Sequence, residues 1–237
     1  LADMDSLYRH PQRRADDVNA AFADPDVKAI IATIGGDDSV RILDYLDLDT
    51  IRANPKIIMG YSDTSTLLAY LNQQGVITFH GPMVMAGFAQ LGALPESFTQ
   101  HVRTLLLTEF RDYLYRPYGF YTERYLDWND SANTGQVEPL QSETSGWQWL
   151  QGEGKVQGRL FGGCIEVLEF LKGTRYWPEP SFWNDRLLFF ETSEEAPPVH
   201  LVQRWLRNYG VQGIFERVRG ILFGRARDYS AEQKTAL

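Results

Sequence analysis

The chain has 237 residues, enough to bury a real core as one large domain or two small ones, and its 43% hydrophobic and 23% charged residues are ordinary globular usage. That composition argues against a disordered or membrane-embedded chain. A formal charge of −8 argues against non-specific nucleic-acid binding, which needs a basic surface to displace counterions from phosphates, and equally against anionic lipid.

The opening Leu1-Ala2-Asp3-Met4-Asp5 does not have the form of a signal peptide, and no apolar run reaches the roughly 18 residues of a membrane span, so a cytoplasmic protein is expected. Residues 11–25 place Val18, Ala21 and Phe22 at helical spacing. The run from Val27 to Ile34 predicts a buried parallel strand that ends in Gly35-Gly36-Asp37-Asp38-Ser39. Val40, Ile42, Leu43, Tyr45 and Leu46 then return at helical intervals. The unit repeats: Pro55 to Gly60 predicts a strand that breaks at Gly60-Tyr61-Ser62-Asp63 into a helix from Thr64 to Gln73, and Val76 to Phe79 predicts a third strand. Ligands of such an open sheet sit beyond the carboxyl ends of its strands, so both glycine turns are expected to line one crevice.

Between 111 and 157 the composition shifts to Tyr, Trp, Gly, Asn and Ser with little periodicity, which predicts a linker and small β-rich region. Order returns at Gly162-Gly163, with a helix from Cys164 to Leu171, a strand from Arg186 to Glu191, a helix after Pro197-Pro198 and a strand at Gly220 to Gly224. The single cysteine, Cys164, stands among apolar neighbours and reads as a small buried hydrophobe rather than a reactive thiol. The expected class is α/β. Residues 1–110 form an N-terminal parallel-sheet domain of the Rossmann-like or flavodoxin-like kind, 111–157 the linker region, and 158–237 a smaller β-rich C-terminal domain.

Ser62 follows a strand and precedes a helix. A serine hydroxyl is a weak nucleophile that needs a fixed, exposed turn, a neighbouring base and backbone N–H groups aimed at the oxyanion. The N–H of Asp63 at the helix start fits the last requirement. The turn is not a full G-x-S-x-G, since Thr64 stands at the second glycine. The plainer alternative is that Ser62 or Asp63 simply caps the helix. Glu191 ends an otherwise apolar strand, and its carboxylate either orients a catalytic histidine or emerges into solvent.

These blocks together resemble the LD-carboxypeptidase family, which includes the microcin C immunity peptidases. The resemblance runs through Asp24 to Ile31, Gly35 to Ser39, Asn54 to Asp63, Thr78-Phe79-His80-Gly81-Pro82, Gly162-Gly163-Cys164 and Leu187 to Ser193. It implies a Ser-Glu-His triad in which Ser62 is the nucleophile and Glu191 the acidic member. It also implies an oxyanion hole from the N–H of Asp63 and of a residue in Gly35-Gly36-Asp37, and a homodimer without cofactors. The family's histidine lies beyond the glutamate at a distance that falls past Leu237, and its first strand should precede Leu1, so the chain is expected to be a fragment.

Of the four histidines, His10, His101 and His200 are expected at the surface, while His80 follows a strand that should neighbour Ser62 and is taken as a substrate contact beside Gly35. No His, Cys and carboxylate spacing suggests a metal site. Two substrates fit the family: the L,D bond of a murein tetrapeptide, and the bond between an aminoacyl group and a nucleotide-like moiety. Residues 121–128 look like the second branch, in which Trp128 would stack on the base; a packed core or interface position is the alternative for this residue. A catalytically silent sensor of cell-wall peptide or nucleotide is the competing class. A nucleotide-binding domain built on Gly35-Gly36 lacks the phosphate-cradling glycine spacing.

Overall fold

The computed structural model describes residues 3–237. They form two compact units, one running up to Met83 together with Val156–Leu237, the other Val84–Lys155. In the first unit a short helix α1 (Met4–Arg9) precedes α2 (Pro11–Ala23), which begins at a proline, where a missing N–H costs nothing. Strand β1 (Ala29–Ile31), a 3-10 helix Ser39–Tyr45, helix α3 (Leu48–Ala53) and strand β2 (Ile57–Gly60) follow. A 3-10 turn, Ser62–Thr64, runs into α4 (Ser65–Gln73), and β3 (Phe79–His80) ends this stretch.

The second unit carries α5 (Glu96–Leu107) and an antiparallel pair of two-residue strands, β4 (Phe120–Tyr121) and β5 (Gln141–Ser142). Among the described residues of this unit Ala86 alone of the apolar side chains is buried, while Trp147, Trp149 and Leu150 are exposed. Between residues 111 and 155 the lack of hydrophobic periodicity goes with the lack of any buried residue. The chain then returns to the first unit with β6 (Arg159–Cys164), α6 (Ile165–Leu168), β7 (Arg186–Glu191), α7 (Val199–Val211), β8 (Gly220–Phe223) and α8 (Ala231–Ala236).

Two parallel sheets result, in the orders β1-β2-β3 and β6-β7-β8, so the expected α/β class is the one the chain adopts. The strand expected from Val27 to Ile34 is shorter and less buried than predicted. Among the described residues β1 pairs with β2 alone, and Ile34 beyond it is 52% exposed. The third strand also starts late, because the Val76 N–H still donates to the Leu71 carbonyl at the end of α4. The helix expected after the Gly35-Gly36 turn divides into the 3-10 segment and α3, where the Asp47 carboxylate accepts from the Thr50 N–H at 3.0 Å and starts a new helix.

Helix α4 lies at the centre of the first unit. Ser65, Thr66, Leu67, Leu68, Ala69 and Leu71 are all buried, which covers nearly every face of the helix, as for one enclosed by neighbours on all sides. One continuous core joins Phe22, Ile51 and Ile58 from the first stretch to Phe161, Leu188 and Tyr209 from the last. Backbones approach closely at this junction. Gly163 takes a φ of +148°, and a Cβ there would stand 2.8 Å from both Cβ and Oγ of Ser65.

The turn bearing Ser62 is tied to the Gly35-Gly36 turn by Asp63. This carboxylate is 3% exposed; its two oxygens accept from the Ser39 N–H at 3.1 Å each, and one also accepts from the Ser39 hydroxyl. Asp38, next to Ser39, pairs with Arg14 of α2 and with Arg41 at 3.3 Å. Asp38 and Arg41 thus brace their own loop. Burial pushes the Asp63 carboxyl above its usual range, against the pull of the Ser39 hydrogen bonds and of Arg14.

Two expected outcomes follow from this packing. Phe161, 1% exposed among Phe182 and Trp183, should cost about 3–5 kcal/mol on conversion to alanine, whereas its half-exposed neighbour Leu160 should cost well under about 1 kcal/mol; chemical denaturation of the two variants checks the contrast. For Asp63, the folded state binds its proton more tightly than the unfolded chain does. Its contribution is therefore fully present below the unfolded pKa and is lost as pH rises through the folded value. Urea unfolding should show the native protein losing stability relative to Asp63→Asn as pH rises above about 4, and a pH-independent difference would refute the assignment.

Candidate active site

Strand β2 delivers Ser62 two residues beyond its last paired position, Gly60. Ser62 has φ +56°, a left-handed conformation that a non-glycine residue holds only where its surroundings over-determine it. A serine on a strained strand-to-helix turn is the arrangement that exposes a hydroxyl for attack. The capping alternative is not what forms: neither the 3-10 turn nor α4 has a side-chain cap, and the Asp63 carboxylate is spent on Ser39. Asp63 still contributes its backbone, because its N–H lies in a first helical turn where donors lack intrahelical partners.

Gly35 sits against the nucleophile candidate. A Cβ on Gly35 would come 2.8 Å from Ser62 Oγ, and one on Gly36 would come 3.1 Å from an Asp63 carboxylate oxygen. The two glycine turns therefore line one place, as expected from their positions at strand ends. Gly36 and Asp37 are exposed there.

Glu191 is the last residue of β7, in register with Cys164 of β6. Its Oε1 is buried, accepts no hydrogen bond among the described residues, and lies 3.5 Å from His80 Nε2. His80 ends β3 in register with Gly60, so the ends of β2, β3 and β7 bring Ser62, His80 and Glu191 to the same end of their sheets. The His80 ring meets Tyr61 edge-on at 6.3 Å and tilts against Phe189 at 5.3 Å. The Cys164 N–H donates to Ser65 Oγ at 3.1 Å, which fixes the end of β6 to the first turn of α4. Burial, with the Glu191 and Glu166 carboxylates nearby, drives the Cys164 thiol far above its usual range, so this cysteine is the inert buried residue its neighbours suggested.

The remaining histidines divide. His10 and His200 are exposed, but His101, expected at the surface, is half-buried among Tyr113, Tyr115 and Tyr118 of the second unit. Its Nδ1 lies 2.6 Å from the Tyr113 hydroxyl, and burial lowers its pKa. Trp128 also belongs to the second unit, 46% exposed, with its ring 5.1 Å from that of Tyr125. Sequence reasoning missed Ser39 and Ser65, whose hydroxyls serve Asp63 and Cys164. No local pattern marks them, since each partner is distant in the chain. Among the described residues no group of His, Cys, Asp and Glu is arranged to hold a metal ion.

Comparison with known proteins gives this geometry its context. The sequence model for the LD-carboxypeptidase N-terminal domain matches residues 2–81, and that for the LD-carboxypeptidase C-terminal domain matches residues 157–237, which are essentially the two stretches that build the first unit. A Vibrio cholerae protein named as a carboxypeptidase is 34% identical over 90% of this chain and 61% of its own length. The microcin C7 self-immunity protein MccF of Escherichia coli is 31% identical over 90% of this chain and 60% of its length. Its structure in complex with aspartyl sulfamoyl adenosine superposes with a TM-score of 0.77 at 28% identity, covering 96% of this chain and 68% of that one. The MccF-like protein of Streptococcus pneumoniae, solved in complex with AMP, gives a TM-score of 0.85 at 28% identity and covers 98% of this chain and 73% of that one. The chain thus spans about three fifths of the length of these curated relatives. With both domain models matched in order and the fold shared, the chain belongs to the LD-carboxypeptidase family of serine peptidases.

Proposed function

We propose that the full-length protein is a serine carboxypeptidase in which Ser62 is the nucleophile and Glu191 the acidic member of the triad. The observation that carries this reading is the left-handed Ser62 on its strand-to-helix turn, with Gly35 leaving open the space beside Oγ. The Ser62 hydroxyl attacks the scissile carbonyl while the histidine of the family's triad takes its proton. Glu191 orients that imidazole, and the N–H of Asp63 with one from Gly35, Gly36 or Asp37 receives the oxyanion. Collapse of the tetrahedral intermediate breaks the bond to the leaving amine, which takes the proton, and water then hydrolyses the acyl-enzyme to a free carboxylate.

For the substrate we propose an aminoacyl group linked to a nucleotide-like moiety. One of the structures this chain resembles holds a ligand of that chemistry, aspartyl sulfamoyl adenosine, and another holds AMP, a nucleotide without the aminoacyl part. The half-exposed Trp128 also offers an aromatic face of the kind that stacks on a base. The L,D bond of a murein tetrapeptide is the second substrate of the family and would place the protein in peptidoglycan recycling. A cytoplasmic homodimer goes with either.

Mass-spectrometric turnover of both substrates by the full-length protein decides between them: release of the sulfamoyl adenosine supports the first, release of D-alanine the second. Ser62→Ala should lower turnover by at least about 10³-fold with an unchanged thermal midpoint. A variant that keeps its activity would remove Ser62 from the mechanism, and binding without turnover by the native protein would make it a sensor. Trp128→Ala should raise KM for the adenosine substrate by about tenfold, the equivalent of one lost stacking contact, and leave a murein peptide unaffected.

A further inference from the structure

We propose that His80 is a positioning residue that holds the Glu191 carboxylate at the mouth of the site, a role that rests on the serine-peptidase reading of Ser62 and Glu191. A buried carboxylate oxygen needs a donor, and Glu191 Oε1 accepts no hydrogen bond among the described residues. His80 Nε2 faces it at 3.5 Å. That separation is longer than a formed hydrogen bond by about half an ångström, and catalytic hydrogen bonds commonly tighten by such amounts when a substrate is engaged.

The surroundings of the ring specify this use. Tyr61 and Phe189 flank it, so its plane is set by packing from the turn after β2 and from β7. Nδ1 is buried without a hydrogen-bond partner and faces the side-chain-free Gly163, whose absent Cβ would lie 3.8 Å away. For Nε2 to donate to Glu191 the neutral ring must carry its proton there, which leaves Nδ1 a bare acceptor, and a buried acceptor without a partner is more readily tolerated than a buried donor. One nitrogen is turned to Glu191 and the other is shut away from solvent, so the ring acts through Glu191 rather than on the substrate. Register supports the same assignment. His80 pairs with Gly60 two residues before Ser62, and Glu191 ends the strand whose Phe189 packs on the His80 ring, so the ends of β3 and β7 bring this ring and this carboxylate face to face.

The test measures covalent labelling of Ser62 by a fluorophosphonate in the full-length protein, with the limiting labelling rate separated from the probe's apparent affinity. His80→Phe keeps the ring volume and removes both nitrogens; His80→Gln returns a donor. The phenylalanine variant should label at least about tenfold more slowly with unchanged probe affinity, since misplacing a catalytic group by about 1 Å costs up to about 10²-fold. The glutamine variant should recover most of that rate, and its recovery separates positioning from any general effect on folding. Native-like labelling of His80→Phe, a change in affinity alone, or a glutamine variant as slow as phenylalanine each overturns the proposal. Failure of the native protein to label at all overturns the serine-peptidase reading beneath it.

Discussion

A carboxylate shut away from water has to be met by donors from the protein, and Asp63 is met by the backbone and hydroxyl of a single residue, Ser39. That contact joins two loops that follow different strands. Asp63 stands directly after Ser62, and Ser39 ends the loop that begins with Gly35-Gly36, so the bond fixes the distance between the hydroxyl and the glycines beside it. Arg14 and Arg41 extend the brace by holding Asp38, and Arg14 reaches it from α2. A left-handed serine costs on the order of 1–3 kcal/mol, and only a turn restrained from several sides can hold it there. Asp63 supplies the restraint on one side, and Ser65, which receives the Cys164 N–H, supplies it on the other.

Helix α4 explains how distant parts of the chain come to share this site. It is buried on nearly all faces because it packs within a core drawn from both stretches of the first unit. The 72 or so residues between those stretches belong to a unit of their own, with almost nothing buried inside it. The site-bearing framework is therefore a single packed body assembled from two separated segments, and the two family models match these same segments. The glycines of β6 follow from the same packing. A Cβ on Gly162 would collide with the Phe189 carbonyl and one on Gly163 with Ser65, so β6 lies against β7 and α4 at a distance no larger residue permits.

Features governed by local spacing were legible in the sequence. Strand β7 was predicted at its observed bounds, and the strand-turn-helix at Gly60 to Ser62 has the form the residues specify. Local rules failed where a neighbour decided the outcome. Periodicity cannot tell how many strands flank a given one, and among the described residues β1 has β2 alone beside it, so it is less buried than its apolar run predicts. Side-chain bonds between remote positions leave no local trace either: Ser65 and Cys164 are 99 residues apart in the chain, and the pairing of His80 with Glu191 joins two different sheets. His80 drew notice for its place after a strand, but what it faces depends on β7 arriving from the far end of the sequence.

The environment of Cys164 bears on why this site should use a hydroxyl. A thiol is the better nucleophile in general, and Cys164 lies beside Glu191 in the strand register. Its surroundings are the reverse of what a reactive cysteine requires. It is fully buried, no cation among the described residues offsets its charge, and the carboxylates of Glu191 and Glu166 oppose formation of a thiolate. A carboxylate such as that of Glu191 suits an imidazole, because a negative neighbour favours the imidazolium that forms as a serine gives up its proton. The acidic strand end that silences the cysteine is thus an environment suited to the serine and histidine pair proposed above, with Ser62 left-handed on its strand-to-helix turn.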